Sequence, residues 1–139
     1  MSVPTLDEAQ LQALLAAARA AREQAYAPYS HFKVGAAVLD LQGRIHAGCN
    51  VENAAYPQGL CAEANALAHM VMAGGRQVQA VVVVGDAPEP VTPCGGCRQK
   101  IREFAGEGAV VIAADLEKVR GRYVLGELLP FSFGPGHLG

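Results

Sequence analysis

The chain has 139 residues, which is the length of one domain built around one hydrophobic core. Hydrophobic residues make up 51% of the chain and charged residues 17%, a balance that excludes an intrinsically disordered protein. The formal net charge of -2 argues against a nucleic acid as the main partner, because proteins that bind polyanions usually carry a basic surplus.

The first half of the chain predicts a helix followed by a hairpin. Residues 5–26 have the apolar spacing of an amphipathic helix, and Thr5 with Glu8 fits a capping box at its start. Residues 34–40 and 44–50 are predicted to be two strands of a hairpin, with Gln42-Gly43 as the turn between them. The segment that follows is rich in turn residues and is predicted to be a loop.

The second half predicts alternating helices and buried strands. Continuous apolar runs, typical of strands that are buried on both faces, occupy residues 80–85 and 109–114. The remaining predicted elements are helices over 61–73 and 97–104, a last strand over 119–124, and a short terminal turn or helix from 127 to 129.

Together these elements predict one α/β domain over residues 1–139. We expect a three-layer sandwich, in which a mixed sheet of about five strands carries helices on both faces.

The chain lacks the signals of export or membrane insertion. No apolar run approaches the length that spans a bilayer, and the N-terminus lacks the charged start, apolar block and cleavage site of a signal peptide. We therefore expect a cytoplasmic protein with no membrane partner. In that compartment, the four cysteines are expected to bind metal or to react rather than to form disulfides.

Three cysteines have positions that favour a metal site. Cys94 and Cys97 are separated by two glycines, a spacing that lets both sulfurs point at one centre. Cys61 stands at the start of one predicted helix and the CxxC motif at the start of another, and helix N-termini stabilise thiolates. Three thiolates would fill three of the four positions that zinc prefers and leave one open.

Two other interpretations of these cysteines remain open at this point. The CxxC motif alone also fits a redox dithiol, which needs neither zinc nor Cys61. A closed structural zinc site would need a fourth ligand. The residues considered for that position are Cys49, His31, His46, His69 and His137. Of these, His69 lies roughly 12 Å along the helix from Cys61, too far to share its metal.

Glu63 gives the cysteine pattern a catalytic interpretation. It lies two residues after Cys61, on the helix that would hold the metal. A carboxylate beside the metal, but not bound to it, can carry protons during catalysis. A Glu in a first helical turn can also serve only the helix dipole. Combined with Cys61 and the PCxxC run, Glu63 completes the pattern that zinc-dependent nucleobase deaminases share.

Several further motifs occur in order along the chain, namely 26–30 (YAPYS) with Phe32, 34–37 (VGAA), 48–56 (GCNVENAAY), 61–63 (CAE), 93–99 (PCGGCRQ), 103–104 (EF) and 127–130 (ELLP). With these motifs, nearly the whole chain resembles the small, homotetrameric cytidine deaminases. The resemblance implies zinc-dependent hydrolytic deamination of cytidine and 2′-deoxycytidine to the uridine products and ammonia, a step of pyrimidine salvage. The alternative within the same chemistry is a deaminase for a modified cytosine nucleoside or an aminopyrimidine nucleoside antibiotic.

The resemblance also implies a role for each matching residue and an assembly with shared sites. The expected zinc ligands, one ion per subunit, are Cys61, Cys94 and Cys97, and the expected proton shuttle is Glu63. At the substrate, Asn50 and Glu52 are expected on the sugar and Phe32 against the pyrimidine. In a homotetramer, Phe133 would reach a neighbouring subunit's site, and Tyr56 would lie at the same interface.

One position departs from the family pattern. The family usually has Arg directly after Cys-Ala-Glu, where this chain has Ala64. Three thiolates outweigh the charge of one zinc ion, and excess negative charge weakens the metal as a Lewis acid. In the family this Arg and the one after the CxxC motif hydrogen-bond the sulfurs. Here we expect Arg98 to do so, with Asn65 as a weaker donor.

Overall fold

A five-stranded sheet forms the middle layer of the protein, which is seen in a computed structural model that describes residues 5–139. The strands are β1 (Val34–Asp40), β2 (Ile45–Cys49), β3 (Val78–Gly85), β4 (Val110–Ala114) and β5 (Val119–Val124). Their order across the sheet is β2-β1-β3-β4-β5. The β3–β4 pair is parallel and the other neighbouring pairs are antiparallel, so the predicted mixed sheet is confirmed.

Helices cover both faces of the sheet, as the buried apolar runs predict. Helix α1 (Glu8–Glu23) packs on one face, and α2 (Ala62–Met72) and α3 (Gly95–Phe104) pack on the other. The valines of β3 alternate between the two cores, which explains why that strand is apolar throughout. A short helix, α4 (Leu125–Leu128), adds Leu125 to the core under α2 and α3. The predicted three-layer sandwich is confirmed.

Helix α2 approaches the sheet very closely at one glycine. A Cβ atom on Gly48 in β2 would lie 2.5 Å from the backbone nitrogen of Ala66 in α2, a distance that real Cβ atoms essentially never show. The absence of a side chain at Gly48 therefore sets the distance between α2 and the sheet, and with it the position of Cys61 and Glu63.

The start of α1 differs from the prediction. The N-cap is Asp7, whose side chain accepts a hydrogen bond from the Gln10 N–H at 2.7 Å, while the Gln10 side chain accepts one from the Asp7 N–H at 3.1 Å. The predicted Thr5–Glu8 box is wrong, although both pairs satisfy the local pattern. Packing decides between them, because Leu6 lies just before Asp7 and joins Leu11 in the core beneath α1.

Helix α1 also ends earlier than predicted, at Glu23 rather than near residue 26. Tyr26 instead forms an isolated bridge with Val51, in which the Tyr26 N–H donates to Asn50 O at 3.0 Å and the Glu52 N–H donates to Tyr26 O at 2.8 Å. This pairing takes the backbone out of the helix.

Within residues 5–139, no helix combines the length and the apolar character that crossing a bilayer requires.

Candidate active site

Two helix N-termini on the same face of the sheet bring three cysteines together. Cys61 is the N-cap of α2, Cys94 is the N-cap of α3, and Cys97 lies in the first turn of α3. Their sulfur atoms all lie within 4.8 Å of one another. The sequence prediction that Cys61 joins the CxxC pair is confirmed. The redox-dithiol interpretation gave Cys61 no role and does not account for this cluster.

The cluster fits a zinc ion with one open coordination position. Three sulfurs at this separation can reach a single zinc at about 2.3 Å each with small adjustments of their side chains. Within the described part of the chain, no histidine, carboxylate or further cysteine joins the group. Three protein ligands are typical of catalytic zinc sites, whereas structural sites have four.

The histidines considered as a fourth ligand have other contacts in the structure. His46 Nε2 lies 2.9 Å from Asp40 Oδ2, and His69 Nδ1 lies 3.3 Å from Ala47 O. His137 packs its ring against the ring of Phe133. These positions do not favour the closed structural zinc site.

Burial and neighbouring charges act differently on the three thiols. Burial raises the pKa of Cys97 and of Cys61, and the nearby Glu63 carboxyl raises both further. For Cys94 the hydrogen bond from the Cys97 backbone N–H dominates and lowers the pKa, as expected at a helix N-terminus. Three thiolates this close repel one another, so a bound cation would stabilise them together.

Glu63 is a buried carboxyl beside the cysteine cluster. It lies in the first turn of α2 and is only 5% exposed. Burial raises its pKa, an effect that its own backbone N–H, the charge of Lys100 and a hydrogen bond from Cys97 partly oppose. A raised pKa makes the carboxyl a better proton acceptor than an exposed glutamate, which suits the predicted proton shuttle.

A cavity of about 320 Å³ opens beside the loops that precede α2 and is lined by Tyr29, Ser30, Glu52, Asn53, Tyr56 and Gly59. The backbone joins this cavity to the cysteine cluster. Val51 pairs with Leu60, the residue before Cys61, through hydrogen bonds of 2.8 and 2.9 Å. The segment that carries Glu52 is therefore held next to the start of α2.

Glu52 binds the loop on the opposite wall of this cavity. One carboxylate oxygen accepts hydrogen bonds from the backbone N–H groups of Tyr29 (2.9 Å) and Ser30 (3.1 Å), and the other accepts from the Ser30 hydroxyl. The Ser30 hydroxyl and these N–H groups lower the pKa of Glu52, so the group remains ionised well below neutral pH. The family resemblance implies that Glu52 binds the sugar, and the structure adds that Glu52 also organises residues 29–30.

Asn50 and Phe32 are linked through the backbone. The Asn50 side chain accepts a hydrogen bond from the Val34 N–H and donates one to Phe32 O, both at 2.9 Å. The Phe32 ring is 39% exposed, so it is not a core residue and remains available to a ligand. His31 has a left-handed backbone with φ of 58°, an unusual conformation that sets the turn before Phe32.

Phe133 lies beside α3 near the C-terminus of the chain. Its ring stacks on His137 with centroids 4.8 Å apart, and its carbonyl oxygen accepts a 2.8 Å hydrogen bond from Gln99, two residues after Cys97. Tyr56 contacts the ring of Tyr29 at 5.9 Å but is otherwise largely exposed. Both aromatic side chains have free surface for a further contact.

Arg98 has different partners from those that were predicted. Its guanidinium donates to Pro93 O at 2.7 Å, Leu128 O at 2.9 Å and Thr92 Oγ1 at 3.1 Å. None of these acceptors is a sulfur, so the expected hydrogen bonds from Arg98 to the cysteines are absent from the described residues. Buried carbonyl oxygens need donors, and Arg98 satisfies two of them where the loop before α3 meets α4.

Asn65 also has a different partner. Its side-chain amide donates to Cys49 O at 2.7 Å, at the end of β2, rather than to a zinc-ligand sulfur. The contact joins α2 to β2 near Gly48. Neither Arg98 nor Asn65 therefore replaces the Arg that the family pattern has at position 64.

The similarity to known proteins covers most of the chain. Residues 8–114 match the family described as the cytidine and deoxycytidylate deaminase zinc-binding region. The chain is 44% identical to a cytidine deaminase from Sporosarcina psychrophila over 123 residues, which are 88% of this chain and 90% of that protein. The match to a zinc-binding region and the cysteine cluster together confirm the predicted zinc cofactor.

Two solved structures show the same fold. A cytidine deaminase from Burkholderia pseudomallei superposes with a TM-score of 0.83 at 44% identity, covering 88% of this chain and 98% of that one. A cytidine deaminase from Mycobacterium tuberculosis gives 0.77 at 38% identity, covering 89% and 97%. The similarity thus extends over the helices and strands that carry the cysteines and Glu63.

Proposed function

Because the chain belongs to the cytidine and deoxycytidylate deaminase family, whose members are hydrolases acting on cytosine amino groups, we propose that it deaminates cytidine and 2′-deoxycytidine. The products are uridine or 2′-deoxyuridine and ammonia. The observation that carries the proposal is the meeting of three cysteine sulfurs within 4.8 Å, beside a buried carboxyl that is not part of the group.

Cys61, Cys94 and Cys97 would hold the zinc ion. When bound, zinc supplies the Lewis acidity that makes a water molecule nucleophilic at neutral pH. Three ligands would leave one position for that water, and the cysteines would hold the ion from the starts of α2 and α3, near the buried Glu63.

Glu63 moves the protons of the reaction. Its carboxylate oxygen takes a proton from the attacking water and delivers it to N3 of the pyrimidine, while the hydroxide adds to C4. It then transfers the remaining hydroxyl proton to the amino group on C4, which leaves as ammonia. One carboxyl serves each step, and burial raises its pKa, which favours its taking up the proton that it later releases.

Asn50, Glu52 and Phe32 bind the nucleoside in this proposal. Glu52 faces the cavity as an ionised acceptor, which suits a sugar hydroxyl. Asn50 keeps one N–H and one lone pair beyond its two backbone bonds, because an amide has two donors and two acceptor sites. Phe32 presents an open ring face against which a pyrimidine can stack.

The proposed assembly is a homotetramer with shared sites. Phe131 is fully exposed and Phe133 is more than half exposed, at a cost that contact with a second copy of the chain would remove. In the assembly Phe133 would reach a neighbour's substrate. The cellular role we propose is pyrimidine salvage in the cytoplasm.

The direct experiment incubates purified protein with cytidine and 2′-deoxycytidine while absorbance and ammonia are followed. Zinc is measured in the same sample. We expect turnover of both nucleosides by protein that contains about one zinc per chain. A panel with free cytosine, the 5′-monophosphate and modified cytosine nucleosides defines the scope. Zinc-loaded protein that releases no ammonia from either parent nucleoside would contradict the proposal.

A further inference from the structure

The zinc centre has an unbalanced charge. Three thiolates carry three negative charges against the two positive charges of the ion, and Glu63 adds another when it is ionised. Zinc binding releases the thiol protons. The zinc-loaded site therefore has a net charge of −1, whereas three protonated thiols are neutral. A nearby cation therefore favours the loaded state.

The cations expected at this place do not act on the sulfurs. Position 64 is an alanine and has no charge. Arg98 directs its donors at Pro93 O, Leu128 O and Thr92 Oγ1. The structure must therefore balance the thiolates with another group or leave them unbalanced.

Lys100 reaches this place from α3. It lies three residues after Cys97, about one helical turn, on the exposed side of the helix. Its ammonium nitrogen would be 3.6 Å from a Cβ atom on Gly96. Gly96 is one of the two glycines between Cys94 and Cys97, so the ammonium lies over the CxxC turn.

Side chains in a helix lean toward its N-terminus, so Lys100 reaches Gly96, four residues earlier, with ordinary helix geometry. The N-terminus of a helix carries partial positive charge, which repels a lysine ammonium that folds back toward it. Within residues 5–139, Lys100 has no ion pair or hydrogen bond that would hold it there. The charge of Lys100 lowers the pKa of Glu63, the carboxyl beside the cysteine cluster. The ammonium is therefore near enough for its charge to act on this centre.

Ala64 makes room for this arrangement. Ala64 and Lys100 line the same groove between α2 and α3, and the short side chain at position 64 leaves the space beside Lys100 open. Positions 64 and 100 therefore face the same space between the two helices.

We propose that Lys100 is a positioning residue for the zinc centre, whose ammonium offsets the negative charge of the thiolates and thereby strengthens zinc retention. The residue takes the place of a cation at position 64. This inference rests on the proposed function only in assuming that the three cysteines hold zinc, and it does not depend on the substrate.

Zinc retention tests the inference without an activity measurement. Zinc-loaded wild type, Lys100→Met and Lys100→Arg are each titrated with a coloured zinc chelator at low ionic strength. We expect Lys100→Met to bind zinc about tenfold more weakly, the lower end of the range for groups that support metal ligands, because the ammonium is exposed. Lys100→Arg should stay near wild type, and so should the control Lys118→Met, which removes an exposed lysine from the β4–β5 turn.

Charge relocation separates electrostatics from packing. The double variant Ala64→Arg/Lys100→Met should regain the lost affinity, whereas Ala64→Gln/Lys100→Met should not. The difference between wild type and Lys100→Met should also shrink at high salt, because exposed charges are screened. The inference is overturned if Lys100→Met holds zinc as tightly as wild type, or if neither Lys100→Arg nor Ala64→Arg/Lys100→Met restores the affinity. If zinc affinity depends on the charge of Lys100 but the wild-type protein deaminates no nucleoside, only the proposed function is contradicted.

Discussion

Burial determines what Glu63 can do. A carboxyl that is 5% exposed gains little from solvation as an anion, so its pKa rises above the ordinary value. It lies in the first turn of the helix whose N-cap is Cys61, within hydrogen-bonding reach of Cys97. A group in this position is suited to carry protons rather than to bind the metal.

The substitution Glu63→Gln tests this role. Glutamine keeps the size and polarity of the side chain but cannot exchange a proton, so we expect the deamination rate to fall roughly a hundredfold or more. Zinc content and thermal stability should stay near wild type. The matched control is Glu117→Gln, which changes an exposed carboxylate in the β4–β5 turn and should leave the rate unchanged. Near-normal turnover by the Glu63→Gln variant would remove Glu63 from the mechanism.

Glu52 combines two functions that substitutions can separate. Glutamine in its place can still accept the N–H groups of Tyr29 and Ser30, so Glu52→Gln should keep the loop and mainly weaken nucleoside binding. Alanine can neither bind the nucleoside nor accept these N–H groups. Glu52→Ala should therefore also speed hydrogen exchange at residues 29–30. The expected signature is a raised KM in both variants, with faster exchange in Glu52→Ala alone. Equal exchange in the two variants would show that Glu52 does not organise the loop.

At the scale of elements, the contact between α2 and β2 positions the site. Gly48→Ala would place a methyl group 2.5 Å from the Ala66 backbone nitrogen, so α2 must shift. Overpacking of this kind costs about 1–3 kcal/mol, and we expect a loss of that size in the free energy of unfolding together with lower activity. Denaturant unfolding measures it. Gly106→Ala is the control, because a Cβ at Gly106 meets no atom within 4 Å. Equal stability of the two variants would contradict this account.

The Asp40 carboxylate in the β1–β2 hairpin should make the free energy of unfolding depend on pH in the acidic range. Asp40 is 1% exposed, and burial alone would raise its pKa. Hydrogen bonds from His46 and from the backbone N–H groups of Arg44 and Gln42, with the charge of Arg44, together lower the pKa below its usual 3.8. A lowered pKa in the folded state means that the ionised form stabilises the fold above the unfolded-state pKa.

That stabilisation is present at neutral pH and is lost as the pH falls below about 4 through the folded pKa of Asp40. Asp40→Asn should therefore be less stable than wild type at neutral pH, and the difference should shrink as the medium is made more acidic. Denaturant midpoints measured across this range check the prediction. A difference that is constant with pH would show that the Asp40 charge is not the cause.

At the scale of the whole molecule, local patterns predicted the elements better than their ends. The apolar runs of β3 and β4 and the turn at Gln42-Gly43 are properties of neighbouring residues, and all were found where expected. The end of α1 depends on the pairing of Tyr26 with Val51, a contact between distant segments that no local pattern contains.

The candidate site shows the same division. Cys61, Cys94, Cys97 and Glu63 could be predicted, because helix starts and short spacings are visible in the sequence. The partners of Arg98 could not, since Leu128 O lies 30 residues away and meets Arg98 only after α3 and α4 have packed.

The assembly makes a prediction at this scale as well. Light scattering should give the mass of four chains. Because Phe133 would reach a neighbour's site, Phe133→Ala should raise KM. Its zinc content should stay near that of wild type. Leu116→Ala, which trims an exposed apolar residue in the β4–β5 turn, serves as the control. A monomer that is fully active would contradict the shared site.

X-ray absorption at the zinc edge of the purified protein measures the central feature most directly. We expect three sulfur neighbours at about 2.3 Å and one oxygen neighbour. The spectrum of Glu63→Gln should keep the three sulfurs, because Glu63 is not a ligand. Four protein ligands on the zinc, or fewer than three sulfurs, would contradict this expectation.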